Sequence, residues 1–561
     1  MQTLLRGGRV IDPDTGFDGV ADVLVTDGVV SALAAGLAAP PGCAVIDVAG
    51  LGPLVWILLG SRALVPRLAA LSSLNDAPRR LPPPPCDPRH QRRHQPLPRR
   101  ALPDPARSKR KTLVVGPGFI DLHSHVHSIA GQRLQAMDGV TTALDLEAGL
   151  MPIERAYADA AAAGRPLHYG FSASWAAARA QVLVGIEPDA RIERALAVLG
   201  NPGWQRSSSD RELAEWLALL ERDLAAGALG IGVLLGYAPS SEPREFLAVA
   251  RLAAKAAAPT YTHVRELVEM DPGTPFDGSE EIAVAAAETG AAMHHCHVNS
   301  TSGHHIDRVL DALDRSRRSG SRVTVEAYPY GAGSTAIGAA FIDAGRLKMK
   351  GLSPSSVVML ETGERVADEG RLRQLRNSDP AAPVILEFLD EEDPRDLALP
   401  HSSLAFPDAI VASDAMPVSW KDGGRDGGRN GSHESTVWPL PPGGTTHPRT
   451  AGTFAKTLRV MVRERKVWDW PEAFRRCSHL PARVLDEVAP GSRAKGHLGV
   501  GADADIVVID PATITDAATY ADPTRPSVGV RHLLVAGVPV VGAGELRTDA
   551  FPGQPLRGEP R

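Results

Sequence analysis

Cysteine is scarce in this chain. Only Cys43, Cys86, Cys296 and Cys477 occur in 561 residues, without a repeated spacing. That excludes a disulfide framework and suits a reducing compartment. Charge of one sign is not in excess either. The net charge of −6 gives no reason to expect nucleic acid or an anionic membrane as a partner. Long apolar runs are missing: Leu51 to Leu59 is too short to span a bilayer, and Met1 to Gly8 lacks the apolar core of a signal peptide. What is present, 43% hydrophobic and 22% charged residues, is ordinary for a globular protein, and the length allows more than one domain. A cytoplasmic enzyme is expected, and a homo-oligomer stays open.

Residues 1–51 alternate short apolar runs with turns such as Asp27-Gly28, a hairpin-rich β pattern, and 485–561 repeat it with Ala504 to Asp510 and His532 to Val541. Neither end buries much alone, so the two are expected to pair into one small β-domain. Residues 52–113 read differently. They carry Pro82-Pro83-Pro84-Pro85 and basic clusters such as Arg92-Arg93, and no helical or strand period survives. Joining Leu51 to Val114 restores a continuous approach to the next strand. The segment therefore reads as an insertion, out-of-frame or intervening sequence, with a basic loop that binds something acidic as the alternative. From 114 to 484, strand-like runs alternate with Ala-rich helical stretches, among them Glu154 to Ala163, Asp210 to Ala226 and Glu280 to Thr289. This predicts an α/β fold, a TIM-like (β/α)8 barrel with its site at the C-terminal ends of the strands. Gly230-Ile231-Gly232 is no dinucleotide fingerprint, since Leu235 stands where the third glycine is needed.

The run from Gly116 to His125 delivers His123 and His125 at i and i+2, on one face of a strand, where both imidazoles can reach one metal ion. Further ligand-type residues follow at successive strand ends. Glu147 closes the second strand; Asp145 shares its face, and Glu147 is preferred. His263 ends another strand. His295 and His297 lie on one face of the next, with His297 preferred as nearer the end. Asp414 follows Ile410-Val411-Ala412-Ser413. His127 falls past its strand, and Cys296, pointing opposite His295 and His297, reads as a packing residue.

The Gly116 to His125 string resembles the first metal-binding strand of the amidohydrolase superfamily. Ala327-Tyr328-Pro329-Tyr330-Gly331-Ala332-Gly333-Ser334-Thr335 and His447-Pro448-Arg449-Thr450-Ala451-Gly452-Thr453-Phe454 are similar to motifs of its N-acyl-D-amino-acid deacylases, the D-aminoacylases. The resemblance covers both chain ends and most of the barrel, but not 52–112. It implies that His123, His125, His263 and His297 hold one or two zinc ions. It makes Asp414 the catalytic acid–base and a metal ligand, and has Arg449 and Tyr328 hold the substrate's α-carboxylate. Two departures stand out. Those deacylases carry a metal-binding Cys where this chain has Glu147, which resembles the bridging carboxylate of isoaspartyl dipeptidases. They carry a substrate-binding Lys where this chain has Asn299. A Gly-rich stretch, 421–444, also separates Asp414 from Arg449.

An amide carbonyl is a poor electrophile, so its hydrolysis calls for a divalent ion that polarises it and acidifies water toward a pKa of ~7. The expected function is release of a D-amino acid and a carboxylate from an N-acyl-D-amino acid. The D-hand rests on the resemblance alone. The alternatives are a dihydroorotase- or hydantoinase-like cyclic-amide hydrolase, an isoaspartyl dipeptidase-like peptidase, or an inactive metal-bound scaffold. The cyclic-amide hydrolases usually carry a carboxylated Lys bridge, and no Lys stands at a matching strand end here.

Overall fold

The computed structural model describes residues 1–50, 112–420 and 436–559. The expected insertion therefore lies outside the described residues except at its last two positions, as does most of the Gly-rich stretch. Among the described residues no helix is long and apolar enough to cross a membrane.

Eight parallel strands form the barrel. They are β1 (Phe119–Asp121), β2 (Val140–Leu150), β3 (His168–Ser174), β4 (Ile231–Leu234), β5 (Thr260–His263), β6 (Met293–His295), β7 (Val323–Ala327) and β8 (Ile410–Val411), each bonded to the next. These strands are buried on both faces, so their sequences are continuous rather than alternating; every residue of β2 is buried. The ring closes just beyond the strands, where His125 N–H donates to the Ala415 carbonyl at 2.9 Å and Ser124 bridges Ala415 in parallel. Asp121 reinforces the seam by accepting from Ser413 N–H at 3.0 Å and from the Ser413 hydroxyl. The helices appear where the apolar period placed them, at Ile153–Ala163, Asp210–Ala225 and Gly278–Thr289. Ser209 caps the second through a reciprocal contact with Glu212.

Both chain ends do pair into one β-sheet. Its order is Glu545–Leu546, Val538–Gly542, Val530–Val535, Ile506–Ile509, Val114–Pro117, Gln2–Asp12, Phe17–Thr26 and Val29–Ala34, with Ala44–Asp47 added alongside Gln2–Asp12. The Asp27-Gly28 turn has positive φ at both residues, 49° and 83°, which matches the right-handed twist of a two-residue hairpin. A separate antiparallel sheet of Ala332–Ala336, Pro383–Glu387 and Val357–Met359 lies between β7 and β8 in the chain and contributes Gly333, Ser334 and Leu386 to the cavity described below.

Val114–Pro117 lies in the terminal sheet and β1 in the barrel, so Gly118 is the crossing point. The two glycines here answer to packing. A Cβ on Gly116 would lie 2.2 Å from Phe474 Cε1, and one on Gly118 would lie 2.2 Å from Thr141 Cγ2. Both neighbours are buried. Gly118→Ala is therefore expected to lower stability by ~1–3 kcal/mol through overpacking. A denaturation midpoint equal to the parent's would show that Thr141 swings aside freely.

Candidate metal centre

The strand ends bring four imidazoles and two carboxylates together. His123 and His125, two residues apart at the end of β1, place their Nε2 atoms 3.1 Å from one another. Their Nδ1–H groups face the other way, toward Glu326 Oε1 at 2.5 Å for His123 and toward Asp145 Oδ1 at 3.1 Å for His125. A carboxylate can only accept, so each Nδ1 carries a proton, which leaves Nε2 as the atom that can bind an ion once its own proton is lost.

Glu147 connects two clusters. Its Oε2 is 3.2 Å from His123 Nε2 and 3.5 Å from His125 Nε2. Its Oε1 is 2.8 Å from His297 Nε2 and 3.1 Å from His263 Nδ1. Asp414 Oδ1 approaches His123 Nε2 to 3.4 Å and His125 Nε2 to 3.7 Å. Ligands about 2.0–2.1 Å from a tetrahedral ion lie roughly 3.3 Å from one another. The donor set thus fits two divalent ions, one among His123, His125, Glu147 and Asp414, the other among Glu147, His263 and His297. His297 (φ 34°) and Asp414 (φ 51°) both adopt the left-handed backbone region, a cost that active sites commonly carry.

The electrostatics ask for positive charge. Burial pulls the His123 imidazole down, yet Glu147, Asp414 and Glu326 together raise it well above the ordinary histidine value. Burial likewise opposes, and Asp145 outweighs, at His125, which is raised to about 9. Burial pushes Glu147 up, but His123 and its neighbours hold it well below the usual carboxylate range. Asp121 is the exception. Burial raises it to about 6 despite donors from Ser413, and it braces β1 rather than facing the cluster.

Arg449, the first residue of the helix Arg449–Thr457, is fully buried. Its Nη2 lies 2.9 Å from Asp414 Oδ1, its Nη1 donates to the Tyr328 hydroxyl at 3.3 Å, and its guanidinium stands 5.1 Å from the Tyr328 ring centroid. A cavity of about 300 Å³ opens here, lined by His125, Glu147, His263, His297, Tyr328, Asp414 and Arg449 among others. His123 lies behind this lining within the cluster, whereas Asn299, expected at the site, reaches neither. Its amide Nδ2 donates to the Tyr330 carbonyl at 3.3 Å and its Oδ1 accepts from Tyr328 N–H at 3.3 Å, so it braces the segment carrying Tyr328.

Sequence reasoning missed Glu326, which holds His123 and also accepts from His294 Nε2 at 2.9 Å. Asp145, weighed there as a rival ligand, instead orients His125 and accepts from His127 Nε2 at 2.8 Å. The signal for Glu326 was an acidic residue inside an apolar strand, Val323-Thr324-Val325-Glu326-Ala327. Cys296 is buried as expected, and burial raises its thiol well above the ordinary value.

The amidohydrolase family model matches residues 438–541. An N-acyl-D-glutamate deacylase of Alcaligenes xylosoxydans xylosoxydans is 28% identical over 76% of this chain and 83% of its own. A D-aminoacylase of the same organism is 27% identical over 79% and 86%. The chain thus carries a stretch of amidohydrolase sequence at 438–541 and resembles these deacylases over most of its length. The fold agrees: the crystal structure of an N-acyl-D-glutamate deacylase from Bordetella bronchiseptica, complexed with zinc and a phosphonate inhibitor, superposes with a TM-score of 0.66 at 22% identity, covering 99% of each chain.

Ligand imidazoles must be neutral, whereas His123 and His125 carry an extra proton at neutral pH when no ion is bound. Binding an ion therefore expels protons, and affinity weakens as pH falls from about 9. Calorimetric zinc titration at pH 7, in buffers of differing ionisation heat, should register about one to two protons released. No release would mean that the imidazoles are already neutral.

Proposed function

We propose that this protein is a zinc-dependent deacylase, hydrolysing N-acyl-D-amino acids to a D-amino acid and a carboxylate. One observation carries the reading: a buried arginine, Arg449, is fixed beside Asp414 on the wall of the same cavity that the imidazole cluster lines. A carboxylate anchor at that place selects an amide whose nitrogen belongs to an amino acid. The D-hand follows the names of the relatives, and a cytoplasmic setting is supported by free Cys43, Cys296 and Cys477.

When bound at the two clusters, zinc supplies polarisation of the scissile carbonyl and acidification of a water. Everything else falls to side chains. Glu147 would be shared between the two ions, while Glu326 and Asp145 keep His123 and His125 in the correct tautomer. Asp414, at the edge of the cluster and facing the cavity, takes the water's proton and returns it to the leaving amine, as base and then as acid. The Arg449 fork accepts the α-carboxylate, for which two parallel N–H groups are the matching geometry. Burial raises the Tyr328 hydroxyl above its ordinary value, so it stays protonated and donates beside Arg449. Against the cyclic-amide reading, the position between the two clusters is held by Glu147.

Asp414→Asn should leave the fold intact and cut turnover at least ~100-fold; turnover at the parent's level would put the proton shuttle elsewhere. Arg449→Lys loses the fork, so kcat/KM on an N-acetyl-D-amino acid should fall roughly 10- to 150-fold, mainly through KM. An amide of the same shape lacking the carboxylate should be nearly unaffected. Equal losses on both would make Arg449 a structural residue of the barrel rim.

A further inference from the structure

The cavity wall away from the cluster is largely apolar, with Leu234, Met270, Phe341, Leu352, Leu386 and Met416. Among the described lining residues the permanent cations are Arg265, Lys350 and Arg449. Arg449 faces Asp414 of the cluster at 2.9 Å, and the other two are neutralised by carboxylates outside the cluster. Arg265 donates to both oxygens of Glu281, at 2.9 and 3.1 Å. Lys350 Nζ donates to Glu266 Oε1 at 2.5 Å, with the two side chains only 13% and 10% exposed. The Lys350 ammonium also lies 4.8 Å from the centroid of the Phe341 ring. That ring stacks on His263, with centroids 5.8 Å apart and planes 9° from parallel. The Lys350–Glu266 pair thus stands one aromatic ring away from the imidazole cluster, inside the space a substrate must occupy. The rim histidine His304 is engaged as well, 3.0 Å from Asp396 Oδ1.

We propose that this site takes substrates with a single carboxylate, N-acyl amino acids whose side chain and acyl group are both uncharged, and that Glu266 sets this preference by neutralising Lys350. The inference rests on the deacylase reading above and adds a substrate class to it. With Arg449 holding the α-carboxylate, a second carboxylate on either the side chain or the acyl group meets apolar wall or a cation that already has its anion. To pair with Lys350 it must displace Glu266, leaving that carboxylate buried and alone, which costs more than the new pair returns. An uncharged side chain carries no such penalty and covers the apolar wall. Glu266 is on this account a specificity residue and has no part in the proton transfers.

The test compares kcat/KM for N-acetyl-D-leucine and N-acetyl-D-methionine with that for N-acetyl-D-glutamate, N-acetyl-D-aspartate and N-succinyl-D-leucine. It uses the zinc-loaded protein and its Glu266→Gln and Glu266→Gln/Lys350→Met variants. The unaltered protein should favour the singly charged substrates at least ~10-fold, the scale of one charge-assisted contact. Glu266→Gln frees Lys350 and should improve the doubly charged substrates relative to the neutral ones by ~10-fold or more; removing Lys350 as well should abolish that gain. Equal efficiency on both classes by the unaltered protein overturns this inference while leaving the deacylase reading in place, and that comparison holds even if a variant fails to fold. So does a folded, zinc-replete Glu266→Gln that shifts nothing. Hydrolysis of neither class overturns the deacylase reading and this inference with it.

Discussion

A carboxylate 4% exposed, with imidazole nitrogens against both oxygens, can stay ionised in a protein interior only if positive charge surrounds it. Glu147 imposes that condition on this molecule. Asp145, Glu326 and Asp414 crowd around the same imidazoles, so the clusters hold a surplus of negative charge that protons or metal ions must balance. Protons do this only partly, by raising His123 and His125. Divalent ions do it better, because each meets several anionic and neutral donors at once. The strand ends have to arrive at one level for the arrangement to exist, and the barrel's continuous apolar strands deliver that alignment.

The same surplus explains why Arg449 is buried without destabilising its surroundings. Its guanidinium answers Asp414 on one side and leans on the Tyr328 ring on the other. A cation so placed has little rotamer freedom left to lose. Asn299 supports this from behind by fixing the backbone around Tyr328 and Tyr330.

Much of the fold was legible in the chain. Period-two spacing put His123 and His125 on one face, and the turn chemistry of Asp27-Gly28 announced the terminal sheet. The choice between Asp145 and Glu147 was harder, because both point the same way from β2; only the longer side chain reaches across to His263 and His297. His297 rather than His295 joins the cluster because the backbone turns left-handed at the end of β6, a bend that alternation along a strand cannot express. His295 stays in the interior, with neither ring nitrogen hydrogen-bonded among the described residues. Glu326 escaped notice because a residue's work as an orienting partner depends on a ring two strands away in space and far away in sequence. The Lys350–Glu266 pair was illegible for the same reason, joining residues from separate loops.

The strand Val114–Pro117 lies between Gln2–Asp12 and Ile506–Ile509 in the terminal sheet and leads directly into the histidine pair. During synthesis the first partner precedes this strand, whereas the second emerges only after the entire barrel has been made. The strand that carries His123 and His125 is therefore locked on both edges late, after the rest of the barrel can already have collapsed. Ion capture in this protein is accordingly a property of the finished chain, and nascent or C-terminally clipped molecules would present their imidazoles on an unsecured edge.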